Sequence, residues 1–228
     1  MINLNSKITI NSNELREINY YIEMIQKDFN INIPIFFVNE KVIERYVGKD
    51  KKRDFNPATD LLGVYLKENG AMFDNDNVIL ISPDKIIKYT NNEKEFILLL
   101  TKVIIHEIAH FIMDNKTDKK DEFYRYMEES LANLFTLNIL ELDVRHMRYK
   151  KEINFIKDFV SKQPLEYALG YKLYSFLEIK KRFIDLMLKW RDNKSKISQT
   201  SKDKWLNYIK QSNIDEKILM QYYEDLWK

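Results

Sequence analysis

The sequence predicts an α+β fold that is mostly helical, with a small mixed β-sheet in the first third of the chain. Short segments rich in β-branched and aromatic residues lie before residue 83, and they indicate strands there. From residue 92 onward, apolar residues recur at helical spacing and indicate a helical remainder. The chain has 228 residues, of which 45% are hydrophobic and 32% charged. That composition is enough to bury one substantial core, with at most a smaller lobe attached.

The first elements are a helix and three strands. Asn11 and Glu14 resemble a capping box, and the apolar residues after them predict a helix over about 12–29. Three short apolar runs bounded by turn-rich residues predict strands at 33–38, 62–67 and 78–82. Together they predict a sheet of about three to four strands.

Two long helices follow the strands. The tetrapeptide Thr90-Asn91-Asn92-Glu93 resembles a capping box. Apolar residues surround the next helix almost completely over about 92–114, which places it in the middle of a domain. A further helix is predicted over about 122–142. A first domain is therefore expected over 1–142.

The rest of the chain, 143–228, is helical in pattern and predicts a helical C-terminal subdomain. Pro164 is expected at the start of one of its helices. The lysine-rich stretch 189–204 is expected to be a solvated charged surface.

Composition excludes several kinds of protein. Cysteine is absent, which removes disulfides, thiolate metal sites and cysteine nucleophiles. The net charge of +2 does not resemble the basic face of a nucleic-acid binder. The apolar stretch 96–113 contains too many polar residues for a membrane span. The first residues lack the apolar core of a signal peptide, so a cytoplasmic protein is expected. The alternative is a secreted protein whose signal peptide has been removed.

The pentapeptide from His106 to His110 is the strongest chemical signal in the chain. On a helix, His106 and His110 project from one face, where two imidazoles can bind one metal ion. Glu107 lies beside them and can reach a water molecule on that metal. Without a ligand, the two histidines would be costly polar groups in a core helix.

A catalytic zinc ion needs a third protein ligand and one open position. Because cysteine is absent, the third ligand must be His146 or a carboxylate. Glu128 and Glu129 lie side by side on the second long helix. Glu129 shares a helical face with Asn133, whereas Glu128 faces about 100° away.

The two histidines and Glu107, followed by Glu129, Ala132 and Asn133, resemble the gluzincin metallopeptidases. The resemblance covers about residues 60–140 and is closest to the compact ImmA/IrrE group. It implies a zincin-like fold, in which a small mixed sheet carries an active-site helix and a glutamate helix. It also implies Zn²⁺ bound by both histidines and Glu129, with Glu129 preferred over Glu128. Asn133 would accept a hydrogen bond from His106.

This resemblance implies a zinc metallopeptidase that acts on a peptide or protein substrate, with Glu107 as the general base. The alternatives are an ImmA-like regulatory protease and a catalytically inactive module that binds one cognate protein. No nucleic acid or membrane is expected as a partner.

Hydrolysis also needs a donor for the oxyanion that forms in the reaction. Tyr167 and Gly170 resemble a Tyr-x-x-Gly motif that follows the glutamate helix in some gluzincins. Tyr167 and Tyr171 are therefore candidates for this donor, and His146 is a third. The strand 78–82 resembles the edge strand that borders the cleft in this superfamily, although a plain core strand is an equal alternative.

Overall fold

The computed structural model describes residues 2–3, 9–10, 12–49, 62–67, 77–114, 121–142, 150–176, 182–211 and 214–225. Within these ranges the protein is mostly helical with a small mixed sheet, as predicted. The strands are β1 (Ile2–Asn3), β2 (Thr9–Ile10), β3 (Ile35–Phe37), β4 (Gly63–Lys67) and β5 (Asn77–Ile81). The first helices are α1 (Ser12–Phe29), α2 (Glu40–Lys49), α3 (Pro83–Ile86), α4 (Glu93–Met113) and α5 (Glu122–Leu142). Those that follow are α6 (Lys150–Ser161), α7 (Leu165–Phe176), α8 (Arg182–Asn193), α9 (Gln199–Ile209) and α10 (Glu216–Asp225), with a short 3-10 turn at Lys194–Lys196.

The three-stranded sheet has the order β3-β5-β4. β3 runs parallel to β5, and β4 runs antiparallel to it. Of the two roles expected for the strand at 78–82, the edge strand is therefore wrong and the core strand is confirmed, because β5 is central. Its residues 78–81 are apolar and fully buried, which is typical of a strand covered on both faces. In the described part of the chain, β4 is an outer strand.

The helix α4 begins and ends within one residue of the prediction. Its cap differs from the expected one: the Asn92 side chain accepts the Glu95 N–H at 3.0 Å, and Glu95 accepts the Asn91 N–H at 2.8 Å. Among the described residues, α4 is also the one helix long and apolar enough to cross a membrane, by length and composition, which differs from the expectation that its polar residues exclude a span. Since 89% of its most apolar window is buried inside the protein, it resembles the core helix of a soluble protein equally well.

The chain divides into two compact units, one of residues 1–108 with 148–156 and the other of 109–147 with 157–228. These bounds differ from the predicted domains 1–142 and 143–228, because the division falls within α4 instead of after α5. In the second unit, α5 packs against α7, α8 and α9. The helices of the predicted C-terminal subdomain therefore support the predicted glutamate helix.

Candidate metal centre

The two histidines of the pentapeptide lie one turn apart on α4, and Glu129 lies on α5. One donor atom from each of His106, His110 and Glu129 lies within 4.8 Å of the others. The distance from His110 Nε2 to Glu129 Oε2 is 3.3 Å. Two ligands of one tetrahedral ion, each bound at about 2.0–2.1 Å, are separated by about the same distance. The three side chains could therefore hold a metal ion.

The group is mostly buried. His106 is 5% exposed and Glu107 8%, whereas the side chains of His110 and Glu129 are 16% and 18% exposed. Imidazoles and carboxylates buried in apolar surroundings cost free energy unless bonds compensate for their lost hydration. A bound cation would supply such bonds, and the partial exposure of two ligands leaves solvent access to it.

Glu128, the alternative third ligand, has other partners. Its Oε1 accepts from Lys194 Nζ at 2.9 Å and from Trp190 Nε1 at 3.3 Å. Glu129 is the carboxylate that faces His110, as the sequence predicted. Adjacent residues on a helix differ by about 100° in direction, so the register that presents Glu129 directs Glu128 elsewhere.

The sheet holds the carboxylate of Glu107. The backbone N–H of Tyr65, on β4, donates to Glu107 Oε2 at 2.8 Å. A Cβ atom added at Gly63 would lie 3.2 Å from Glu107 Cγ and 2.7 Å from Val103 Cγ1. Because residue 63 is glycine, β4 can approach α4 closely enough to make this hydrogen bond.

Asn133 is fully buried and lies one turn after Glu129. Its Nδ2 donates to the Tyr167 carbonyl oxygen at 3.2 Å. Its Oδ1 accepts no hydrogen bond from the described residues. The structure thus does not show the expected hydrogen bond from His106, which stays a prediction for the protein with metal bound.

The candidate oxyanion donors lie on α7 and beyond the described residues. Tyr167 and Tyr171 are half-buried residues of α7. Gly170 lets this helix pack closely on α5, since a Cβ there would lie 2.5 Å from the Ser130 carbonyl oxygen. His146 lies outside the described residues. The role of each as an oxyanion donor stays a prediction.

Sequence reasoning missed two contributors to this region, Tyr65 and Lys194. Tyr65 acts through its backbone N–H, which no side-chain motif reveals, although the nearby Gly63 is a signal of close backbone approach. Lys194 lies in the stretch 189–204, which we expected to be solvated, but Lys194 is 1% exposed and Lys202 5%. That expectation is wrong for both lysines, because each is paired with an acidic residue.

Comparisons of the chain with protein-family models, curated proteins and solved structures found no match.

Proposed function

We propose that the chain is a zinc-dependent metallopeptidase of the gluzincin type, in which His106, His110 and Glu129 hold the metal. The observation that carries the proposal is the convergence of two imidazoles and one carboxylate, with donor atoms within 4.8 Å of one another. Catalytic zinc sites use three protein ligands and leave a position open, whereas structural sites usually fill all four. Among the described residues the site has three ligands, which supports a catalytic metal.

The kind of donor supports zinc over other ions. Imidazole nitrogen suits zinc, whereas magnesium and calcium prefer ligand sets made of oxygen. Two histidines with one glutamate form a known set for catalytic zinc. Because the sequence has no cysteine, imidazoles and carboxylates are the donors left to bind zinc.

Glu107 is the proposed general base. Zinc, when bound, lowers the pKa of a coordinated water to around 7. The Glu107 carboxylate takes a proton from water and returns it to the amine of the cleaved peptide. The Tyr65 N–H restricts this carboxylate by holding Oε2 at 2.8 Å. A base whose side chain is already oriented loses little freedom when the substrate binds.

The outer strand β4 supports a peptide as the substrate. An extended peptide can add to the edge of a sheet by backbone hydrogen bonds. The Tyr65 N–H on the unpaired side of β4 already donates to Glu107, so a peptide would pair with the other backbone groups of this edge and lie close to the proposed base. The resemblance suggested the strand at 78–82 as the edge that binds a peptide. Because β5 is central, we propose β4 for that role.

Metal analysis and a peptide-library cleavage assay test the proposal. The wild-type protein should bind about one zinc per molecule. Glu129→Ala should weaken zinc binding by more than about 100-fold. Loss of a residue that only orients a ligand usually weakens binding by about 10–100-fold. Glu122→Ala, an exposed glutamate at the start of the same helix, is the matched control and should keep the zinc.

Glu107→Gln separates binding from catalysis. It should keep the zinc and lose about 10²–10⁴-fold in cleavage rate, which is the usual contribution of a general base. A wild-type protein that binds no zinc would refute the metal site. A protein that binds zinc but cleaves no peptide or candidate partner would instead favour the binding module.

A further inference from the structure

Lys194 lies in the turn after α8, and its ammonium group joins two helices of the metal centre. Its Nζ donates to the Met113 carbonyl oxygen at 2.9 Å and to Glu128 Oε1 at 2.9 Å. Met113 is the last residue of α4, three residues after His110. Glu128 directly precedes Glu129 on α5. One buried cation therefore contacts the last residue of α4 and the residue before Glu129 on α5.

The surroundings of Lys194 fix its position. Its side chain is 1% exposed, and a buried ammonium is costly unless its hydrogen bonds are satisfied. The Trp190 ring lies 5.9 Å from Nζ, and the Tyr124 hydroxyl donates to the Lys194 carbonyl oxygen at 2.8 Å. A cation at the carbonyl end of α4 is also favoured by the helix dipole.

These contacts constrain the rotation of α5 about its axis. Glu128 and Glu129 point about 100° apart, so a rotation that moved Glu128 away from Lys194 would also move Glu129 away from His110. The two carboxylates are held by different partners, at 2.9 Å for Glu128 and 3.3 Å for Glu129. The ion pair with Lys194 selects the rotation in which Glu129 faces the histidine.

We infer that Lys194 is a positioning residue of the metal centre, which places Glu129 against His110 by binding Glu128 and the last carbonyl of α4. The inference rests on the proposed function, because it concerns the same metal site. In this assignment Lys194 acts through Glu128 and Met113 and is not itself a metal ligand. Its effect should therefore appear in metal affinity and ligand geometry.

Titration with zinc, and with cobalt(II) as a spectroscopic substitute, tests this role. Lys194→Met should lower zinc affinity by about 10–100-fold, as for other residues that orient a ligand. The visible spectrum of the cobalt form should change, since it reports the coordination geometry. The double variant Lys194→Met with Glu128→Gln removes the unpaired, partly buried charge of Glu128 and keeps an acceptor for Trp190. It should regain thermal stability but keep the weakened affinity and the altered spectrum.

Lys202 provides a matched control. It is also a buried lysine paired with an acidic residue beside α5, since its Nζ lies 3.2 Å from Asp121 Oδ2. Asp121 is eight residues from Glu129, or about 12 Å along a helix. Lys202→Met should therefore lower thermal stability while zinc affinity stays within about twofold, as expected of independent sites.

Three outcomes would overturn the inference alone while wild-type metal binding stands. The first is that Lys194→Met keeps the wild-type zinc affinity and cobalt spectrum. The second is that the double variant regains zinc affinity together with thermal stability. The third is that Lys202→Met loses as much zinc affinity as Lys194→Met. A wild-type protein that binds neither zinc nor cobalt would refute the proposed function, and the inference with it. Should Lys194→Met fail to fold, the double variant carries the same test.

Discussion

Replacement of Gly170 by alanine should push α7 away from α5, the helix that carries Glu129. A Cβ at this position would lie 2.5 Å from the Ser130 carbonyl oxygen, 2.7 Å from Asn133 Cβ and 3.0 Å from the Leu134 nitrogen. Two of these three atoms belong to the backbone, so no side chain can rotate to make room. One helix must therefore move relative to the other.

The expected cost follows from two opposing effects. Alanine in place of glycine inside a helix gains about 1 kcal/mol. Overpacking of a buried contact costs about 1–3 kcal/mol, and the upper part of this range applies because α7 must move by at least about 0.5 Å. The net destabilisation should be about 1–2 kcal/mol. The same displacement acts on Asn133, one turn from Glu129, so zinc affinity should fall as well.

Thermal unfolding and zinc titration of Gly170→Ala measure both effects. For a chain of this length, a change of 1 kcal/mol shifts Tm by about 2–4 °C. We therefore expect a Tm lower by several degrees and a zinc affinity lower than that of the wild type. An unchanged or higher Tm would show that the two helices can move apart without losing stability. The close contact would then not be the reason that residue 170 is glycine.

Three further predictions concern the base, the metal and a buried tyrosine. Gly63→Ala should keep the zinc but lower kcat by about tenfold, because its Cβ would lie 2.7 Å from Val103 Cγ1 and 2.8 Å from Ile81 Cδ1. The strand β4 must then shift, and its Tyr65 N–H would hold the proposed base Glu107 less well; wild-type kcat in steady-state kinetics would contradict this. Zinc at 100 times its Kd should stabilise the fold by about 2.7 kcal/mol, and a chelator should reverse the rise in Tm. Burial raises the pKa of Tyr223, so above pH 10 the folded chain keeps a proton that the unfolded chain loses, and stability falls by up to about 1.4 kcal/mol per pH unit. Tyr223→Phe should make this alkaline loss shallower in urea unfolding from pH 9 to 12, and an unchanged slope would contradict the cause.

The long helices could be predicted from the sequence because their signals are local. The periodic segments at 92–114 and 122–142 became helices at Glu93–Met113 and Glu122–Leu142. Both begin next to a side chain that accepts a backbone N–H of the first turn, Asn92 for α4 and Asp121 for α5. The shared face of the two histidines and the shared face of Glu129 and Asn133 follow from helix geometry, whereas the choice of Glu129 over Glu128 came from the family resemblance.

The order of the strands could not be predicted in the same way. A short apolar run indicates a strand, but it does not say which strand pairs with it on each side. The strand β5 is central because β3 and β4 both pair with it. The pairing with β4 is local, but the pairing of Ile35 with Ile79 on β3 joins distant parts of the sequence. The helix α2 was missed although its Ile43 packs with Val64 and Leu80 in the core.

The burial of lysines is also decided by distant residues. Lys194 and Lys202 lie among charged residues at a helix break, a pattern that favours a solvated surface. Their partners lie at Glu128 and Asp121, 66 and 81 residues earlier in the chain. The packing of α8 and α9 on α5 brings each lysine to its acidic partner. The residues next to the lysines in the sequence therefore do not indicate that the lysines are buried.

The interior of α5 indicates where one more contact of the metal centre would form. Its buried Ser130 hydroxyl lies 2.7 Å from the Tyr223 hydroxyl, and Thr136 donates to the Ala132 carbonyl oxygen at 2.7 Å. By contrast, Asn133 Oδ1 has no donor among the described residues, and an unsatisfied buried acceptor costs about 1–3 kcal/mol. Natural proteins tolerate such destabilising groups more often at functional sites than elsewhere in the core. Because Asn133 shares a helical face with Glu129, we expect its donor on the side of the metal ligands, with the imidazole N–H of His106 as the proposed one. A structure of the zinc-loaded protein in which Oδ1 still lacked a donor would remove Asn133 from the site.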